Sequence, residues 1–146
     1  MRSFTYTIHI ARSPEQVWAY MMDFSNAPRW RNLVRSIEVL TPGPLAVGAK
    51  LKVTFDSLGK TRSAISEVWV FEPARRMGVR NTEQNVTGVF ESTLAPENGG
   101  TRVTFTGDIQ PHGFMWLVMP WLIRGNRRRY QEQLPNLKAE LERARR

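Results

Sequence analysis

Residues 10–18, which read Ile10-Ala11-Arg12-Ser13-Pro14-Glu15-Gln16-Val17-Trp18, contain the change from strand to helix that decides the fold. Up to this point, residues 4–10 alternate between apolar and polar types, which is the period of a half-buried strand. Ser13 is then a helix N-cap, and Pro14 occupies the first helical position. Gln16, three residues after the cap, completes a capping box. The stretch therefore predicts a strand followed directly by a short helix.

Downstream, the sequence predicts a second short helix and then a series of strands. Asn26-Ala27-Pro28 is a second helix start, and residues 29–33 add a further turn or two. Strand patterns follow, separated by turn signals, at residues 36–40, 51–55, 61–71, 77–81, 86–94 and 101–109. The last of these turns is predicted at residues 96–100. Strands this close in sequence usually pair as antiparallel neighbours.

After Pro111 the pattern becomes helical. One stripe recurs every three or four residues and comprises Met115, Met119, Leu122, Ile123, Asn126, Tyr130, Leu134, Leu137 and Leu141. Pro120 and Pro135 lie within the pattern, and each removes one backbone hydrogen bond, so we expect a kinked helix, with a break near Pro120 as the alternative. The sequence therefore predicts a single α+β domain over residues 1–146, in which a long C-terminal helix lies across an antiparallel sheet.

This order of elements resembles the START-like (SRPBCC) superfamily, in particular its polyketide cyclase/dehydrase and lipid-transport group. The residues that carry the resemblance are 10–18, 23–30, 71–73, 99–104 and 134–141. The resemblance implies a helix-grip fold: a curved antiparallel sheet wrapped around a long C-terminal helix, with two short helices after the first strand. A bent sheet does not close fully against one helix, so a cavity for a small apolar molecule is expected between them.

Composition excludes several classes of site. The 146 residues contain no cysteine, which excludes disulfides, thiolate zinc sites and cysteine nucleophiles and suits a reducing compartment. The first ten residues lack the apolar stretch of a signal peptide, so a cytoplasmic location is expected. The longest uncharged apolar run, residues 114–123, is about half of what a membrane span needs. The formal net charge is +8, and the residues from Trp121 onward contribute much of it.

Candidate ligand-binding residues come from both the resemblance and the residue pattern. By resemblance, Trp30 matches the tryptophan that follows the second short helix and faces the cavity; packing of helix against sheet explains it equally well. Phe55, Trp69, Phe90 and Phe105 are aromatic residues on four strands, each able to face inward, although plain core is the simpler interpretation of any one. The helix stripe adds Met115, Met119, Ile123, Asn126 and Tyr130. The last two interrupt it with polar groups that need partners, which a ligand, a backbone carbonyl or a water can supply.

The sequence carries little that indicates catalysis. It contains no HExxH, GxSxG or phosphate-loop motif, and His9 and His112 are far apart. Glu67 is a candidate proton-transfer residue only if its strand turns it inward; a solvent-facing or hydrogen-bonded structural role is the preferred interpretation. No metal or tightly bound cofactor is implied.

The beginning of the C-terminal helix is apolar on both sides. Leu117 and Trp121 project away from the stripe, and Arg124 and Arg128 follow on that side. A lid over the cavity or a protein contact, including a homodimer patch, is preferred to a membrane-surface contact. Nucleic-acid binding through residues 127–129 is disfavoured, because no recognised module is present.

These observations lead to three functional hypotheses. The first is binding, sequestration or transport of a small hydrophobic molecule, either a lipid or an aromatic, polyketide-like compound. The alternative is a cyclase/aromatase- or dehydratase-type enzyme that uses the same cavity. The third is an interaction protein that acts through the basic C-terminal helix.

Overall fold

The computed structural model describes residues 2–31, 34–57, 59–83, 86–111 and 131–143. These residues form strand β1 (Arg2–Ile10), helix α1 (Pro14–Met22), a 3₁₀ turn (Phe24–Asn26) and helix α2 (Ala27–Trp30). Six strands come next: β2 (Val34–Val39), β3 (Lys50–Ser57), β4 (Lys60–Glu72), β5 (Arg76–Glu83), β6 (Val86–Glu97) and β7 (Gly100–Pro111). Residues 131–143 are helical and are called α3. The predicted α+β class is confirmed.

All seven strands belong to one antiparallel sheet. The strand order is β1-β7-β6-β5-β4-β3-β2, so β2 to β7 form a continuous meander and β1 pairs with β7. The sheet is curved, with α3 and the short helical segments packed against its inner face, which is the helix-grip arrangement that the sequence predicted. Consecutive strands lie side by side because each connection is a short turn.

The start of α1 has the predicted geometry. The Ser13 hydroxyl accepts a hydrogen bond from the Gln16 backbone N–H at 3.2 Å, and the Ser13 backbone N–H donates to Gln16 Oε1 at 3.1 Å. Val17, on the inner side of this helix, is fully buried. The second helix is shorter than expected, since α2 ends at Trp30. Its start has no side-chain cap, because the Asn26 side chain donates to the Tyr20 carbonyl instead. Residues 32 and 33 of the predicted turn lie outside the described residues.

The turn predicted at residues 96–100 is narrower in the structure. Strand β6 continues through Pro96 to Glu97, and Asn98 and Gly99 alone form the connection to β7. Both residues have positive φ angles, 48° and 75°, which is the conformation that a two-residue hairpin with the natural strand twist requires. Asparagine and glycine tolerate this conformation best, so these two residues by themselves explain why the turn is shorter than predicted.

Helix α3 is held against the sheet by apolar and polar contacts. Its buried leucines, Leu134, Leu137 and Leu141, belong to a core cluster that also contains Ile10 and Val103. Lys138 Nζ donates to the His9 carbonyl at 2.8 Å, and Glu142 Oε2 accepts the Ala11 backbone N–H at 3.0 Å. The helical residues continue through Pro135, whereas the kink expected at Pro120 lies outside the described residues. In the described ranges, no helix is both long and apolar enough to span a membrane.

A second core cluster lies towards the β2 edge of the sheet. It is formed by Ala49, Leu51 and Val68, with Phe71 and other half-buried side chains packed against them. The Trp18 ring contacts Phe71 at 5.6 Å between centroids, so α1 reaches across to this cluster. The inner face of the sheet is therefore covered by two separate apolar clusters, and the space near their junction defines the candidate site.

Candidate ligand-binding cavity

A cavity of about 110 Å³ lies between the sheet and the helical segments that follow β1. This is roughly ten times the volume that a single water molecule needs. Its apolar walls come from both layers and include Met21, Met22, Phe24, Ala27, Trp30, Leu51, Val53, Met77, Val79, Phe90 and Phe105. A mostly apolar concavity with a few polar groups is the usual form of a small-molecule site.

Trp30, at the end of α2, forms the helical wall. Only 5% of its surface is exposed, and its indole Nε1 has no hydrogen-bond partner among the described residues. The Arg31 guanidinium lies 5.7 Å from the ring centroid, and Asn136 of α3 donates to the Trp30 carbonyl at 3.3 Å. A buried N–H usually has a partner, so this indole is an available hydrogen-bond donor in the helical wall.

Phe90 and Phe105 form the aromatic part of the opposite wall. They lie on the neighbouring strands β6 and β7, with ring centroids 6.2 Å apart and planes only 6° from parallel. Phe4 of β1 packs on Phe105 at 5.8 Å, and its ring lies over Gly107, where any side chain would collide with it. The structure therefore brings together three of the predicted aromatic residues, Trp30, Phe90 and Phe105, around one space.

Neutral polar side chains lie in the middle of the sheet wall. Ser66 of β4 and Asn81 of β5 are directly opposite each other in the antiparallel register, and both line the cavity with Ser92 of β6. Ser66 is only 1% exposed. The sequence analysis missed these residues, although Ser66 has the same strand parity as Ala64 and Val68, both of which are buried. That parity was the feature of the sequence that could have placed Ser66 on the inner face.

Two of the predicted aromatic residues do not line the cavity. Trp69 lies at a β-bulge between Val68 and Val70, where the register of β4 against β5 shifts. Trp69 has the same strand parity as the outward-facing Glu67, and its ring lies on the outer face, over Gly78 and 5.8 Å from the Arg76 guanidinium, so its predicted inward position is wrong. Phe55 shares a face of β3 with Leu51 but lies beyond the walls of the cavity.

Glu67 does not meet the condition set for a proton-transfer role, because its carboxylate faces outward. It lies between Lys50 and Arg80 across three strands, at 3.0 Å from Lys50 Nζ and 3.4 Å from Arg80 Nη2. Its side chain is 36% exposed. The hydrogen bond and the charge of Lys50, followed by the hydrogen bond from Arg80, lower the pKa of Glu67 below its ordinary value. The geometry is that of a structural ion pair on the outer face.

Some of the predicted positions fall outside the described residues. They include the ligand-binding candidates Met115, Met119, Ile123, Asn126 and Tyr130, as well as His112. The surface residues Leu117, Trp121, Arg124 and Arg128 and the basic run 127–129 also fall there. Their roles stay predictions.

Comparison with known proteins supports this description of the fold. The sequence matches the family described as polyketide cyclase/dehydrase and lipid transport over residues 1–142. No significant match was found among curated protein sequences.

Similar solved structures cover the chain almost completely. Protein TTHA0849 from Thermus thermophilus is 18% identical, with a TM-score of 0.78 and coverage of 98% of this chain and 99% of that one. The Zhui aromatase/cyclase from Streptomyces sp. R1128 is 17% identical, with a TM-score of 0.77 and coverage of 99% and 96%. A START superfamily protein from Mycobacterium smegmatis is 14% identical, with a TM-score of 0.74 and coverage of 97% and 98%. At these identities the likeness concerns the fold. The family match over residues 1–142 shows that this chain belongs to the polyketide cyclase/dehydrase and lipid transport family.

Proposed function

We propose that this protein binds a small apolar molecule, a lipid or a ring compound, in the cavity between Trp30 and the Phe90–Phe105 stack, and sequesters or carries it. The observation that supports the proposal is the cavity itself. Its walls combine flexible methionines, which adapt to ligand shape, with flat aromatic faces on two sides. Rings on opposite walls favour a ligand with at least one planar face.

The expected affinity follows from the size of the space. Burying about 200 Å² of apolar ligand surface is worth roughly 5 kcal/mol. Association and ordering costs offset part of this gain. A two-ring compound is therefore expected to bind with a Kd no lower than about 0.2 mM.

Filling the cavity tests the proposal. Val79 on β5 lines the cavity, whereas Val89 on β6 is paired with Arg80 and Asp108 and has the opposite strand parity from Phe90. Val79→Phe is expected to weaken binding of an apolar naphthalene fluorophore by about tenfold or more, because its added ring occupies the space. Val89→Phe is the matched control and is expected to bind as the wild type does. Fluorescence titration measures both.

Equal weakening by both variants, or by neither, would contradict binding in this cavity. Met77→Phe provides a second filling variant, since Met77 lines the same wall and is paired with Ser92. Thermal unfolding followed by circular dichroism shows whether each variant is folded before it is titrated. Loss of binding in both filling variants, with Val89→Phe unaffected, supports the proposal.

The enzymatic alternative has weaker support. Among the described residues, Glu91 is the one acidic residue in the cavity lining, but it has the opposite strand parity from Phe90 and Ser92, and Arg76 holds its carboxylate on the outer face by two hydrogen bonds of 2.9 and 3.1 Å. A carboxylate engaged in this way is a poor proton carrier. We therefore prefer the binding role and, because the chain lacks cysteine, place it in the cytoplasm.

The third hypothesis, an interaction through the basic helix, also has less support in the described part of α3. Lys138 is paired with Glu142, and Arg143 with Glu140. Ion pairs within one helix are typical of a solvated face and reduce the net positive charge that it presents.

A further inference from the structure

The polar groups on the sheet wall indicate what kind of ligand group this cavity accepts. The Ser66 hydroxyl and the Asn81 amide make no hydrogen bond to any described residue, although Ser66 is 99% buried and Asn81 is half-buried. Buried polar groups without partners are uncommon in folded proteins, because each lost hydrogen bond to water costs free energy. Both side chains line the cavity, so water there or a polar group of a bound molecule can satisfy them.

The two side chains are placed to act on one atom. They are opposite each other in the register of β4 and β5, which puts their Cβ atoms about 4.5–5.5 Å apart on the same face. Gly88 on β6 leaves room for the amide, since a Cβ there would lie 2.8 Å from Asn81 Oδ1. The same Cβ would lie 2.8 Å from the Phe90 ring, so the amide and the aromatic wall are immediate neighbours. A ring lying against Phe90 would have its edge close to Asn81.

We propose that Ser66 and Asn81 form a polar anchor that binds a neutral hydroxyl group on the apolar ligand, such as a phenol. The inference rests on the proposed function, because it assumes that the cavity holds a ligand. A hydroxyl both donates and accepts a hydrogen bond, as do the serine hydroxyl and the asparagine amide, so it can satisfy both at once. A carbonyl only accepts, so it donates no hydrogen to the serine oxygen or to the asparagine Oδ1.

An ionised group fits this position poorly. On the inner face, Ser66 is flanked by Leu51 across β3 and by Val68 along its own strand, both of them buried. The charged neighbours Glu67 and Arg80 project from the other face of the sheet. Arg31, which also lines the cavity, lies over the Trp30 ring on the helical wall. Placing a carboxylate among the apolar side chains around Ser66 costs far more than placing a hydroxyl there.

A pair of ligands with one atom exchanged tests the anchor. The compounds 2-naphthol and 2-methylnaphthalene have nearly the same shape, and only the first carries a hydroxyl. The measured quantity is the ratio of their dissociation constants, obtained by displacement of a naphthalene fluorophore. In Ser66→Ala/Asn81→Leu, the preference for 2-naphthol is expected to fall about tenfold relative to the wild type. Affinity for 2-methylnaphthalene is expected to stay the same or rise.

Ser63→Ala is the control, because Ser63 lies on the same strand but is exposed and contacts Thr54 at 3.2 Å. An unchanged ratio in the double variant overturns the anchor while leaving cavity binding intact. Failure of the wild type to bind either compound overturns the proposed function and the anchor with it. Ser66→Ala alone is expected to keep the wild-type Tm, since no protein hydrogen bond is lost. A Tm several degrees lower would show a structural role and contradict the anchor.

Discussion

The inner face of the sheet is covered in two different ways. Beneath α3, Leu137 and Val103 are completely buried, and the leucine stripe fills the space between helix and sheet. Around the cavity, inward-facing residues such as Val79 and Phe90 stay half-buried. Both regions present apolar side chains to the helical layer, so the difference does not lie in hydrophobicity. Among the described residues, it lies in which element covers the sheet: helix α3 in the first region and the short helical segments after β1 in the second.

This difference has consequences for stability and binding. A close-packed region loses free energy when any methyl group is removed, because neighbouring atoms cannot move into the space. A region that already contains a cavity tolerates such changes better, and a ligand can occupy the cavity. Substitutions of the same type in the two regions should therefore have unequal effects.

The largest effect is expected for Leu137→Ala. Leu137 has no exposed surface and lies at the centre of the α3 contact. Its truncation should lower the free energy of unfolding by about 3 kcal/mol. Urea denaturation measures this change, and a loss below about 1 kcal/mol would show that α3 is packed loosely. Ala139→Gly, on the exposed side of α3, is a control for helix propensity alone and should cost about 1 kcal/mol.

A direct comparison of the two regions comes from the same substitution in each. Val103→Ala in the packed region should cost roughly 2 kcal/mol. Val79→Ala in the cavity wall should cost less than about 1 kcal/mol, because its side chain is half-buried and borders empty space. Urea denaturation of both variants gives the difference. Equal costs would mean that the cavity wall is as tightly packed as the core.

The smallest effect concerns the polar contacts that hold α3. The hydrogen bonds from Lys138 and from the Ala11 backbone N–H lower the pKa of Glu142 below its ordinary value of 4.5. Because the pKa is depressed in the folded state, the stabilisation is present above about pH 4.5 and is lost as the pH falls through the folded-state pKa. Glu142→Gln should therefore lower stability at pH 7 by less than about 1 kcal/mol, since the carboxylate is partly exposed.

Thermal unfolding as a function of pH tests this last prediction. The wild type and Glu142→Gln should converge at low pH, once the pH has fallen through the folded-state pKa and the carboxylate is protonated. Glu38→Gln, at an exposed position on β2, is a control that should show no comparable pH-dependent difference. A constant difference between the wild type and Glu142→Gln at all pH values would contradict an electrostatic origin.

The contrast between Trp69 and Phe90 shows how far strand alternation can predict a site. Both are aromatic residues within strand patterns, and both were expected to face inward. The pairing of β6 with β7 is regular, so alternation places Phe90 correctly. On β4, alternation also holds from Ala64 to Trp69, but the inner face carries the buried Ala64, Ser66 and Val68, so Trp69 lies on the outer face. Which of its two faces is the inner one depends on what covers the sheet, and the strand alone does not encode this.

Ser66 shows a different limit to predicting a site from sequence. Its alternation with Ala64 and Val68 was readable from the sequence, yet a serine in a strand is ordinary until its surroundings are known. Its importance comes from being buried beside a cavity without a described hydrogen-bond partner, opposite Asn81. Both facts depend on the tertiary structure, because it decides which strands are neighbours and which elements cover them.

Local patterns in the sequence determined much of this protein. The capping box of α1, the alternation of the strands, the Asn98-Gly99 connection and the leucine stripe of α3 each have a cause within a few residues, and their order indicates the START-like fold. The tertiary structure alone decided that a cavity exists, that Trp69 faces away from it and that Ser66 and Asn81 face into it. The reason is physical: a cavity is the volume that packed elements fail to fill, and no local pattern specifies that difference.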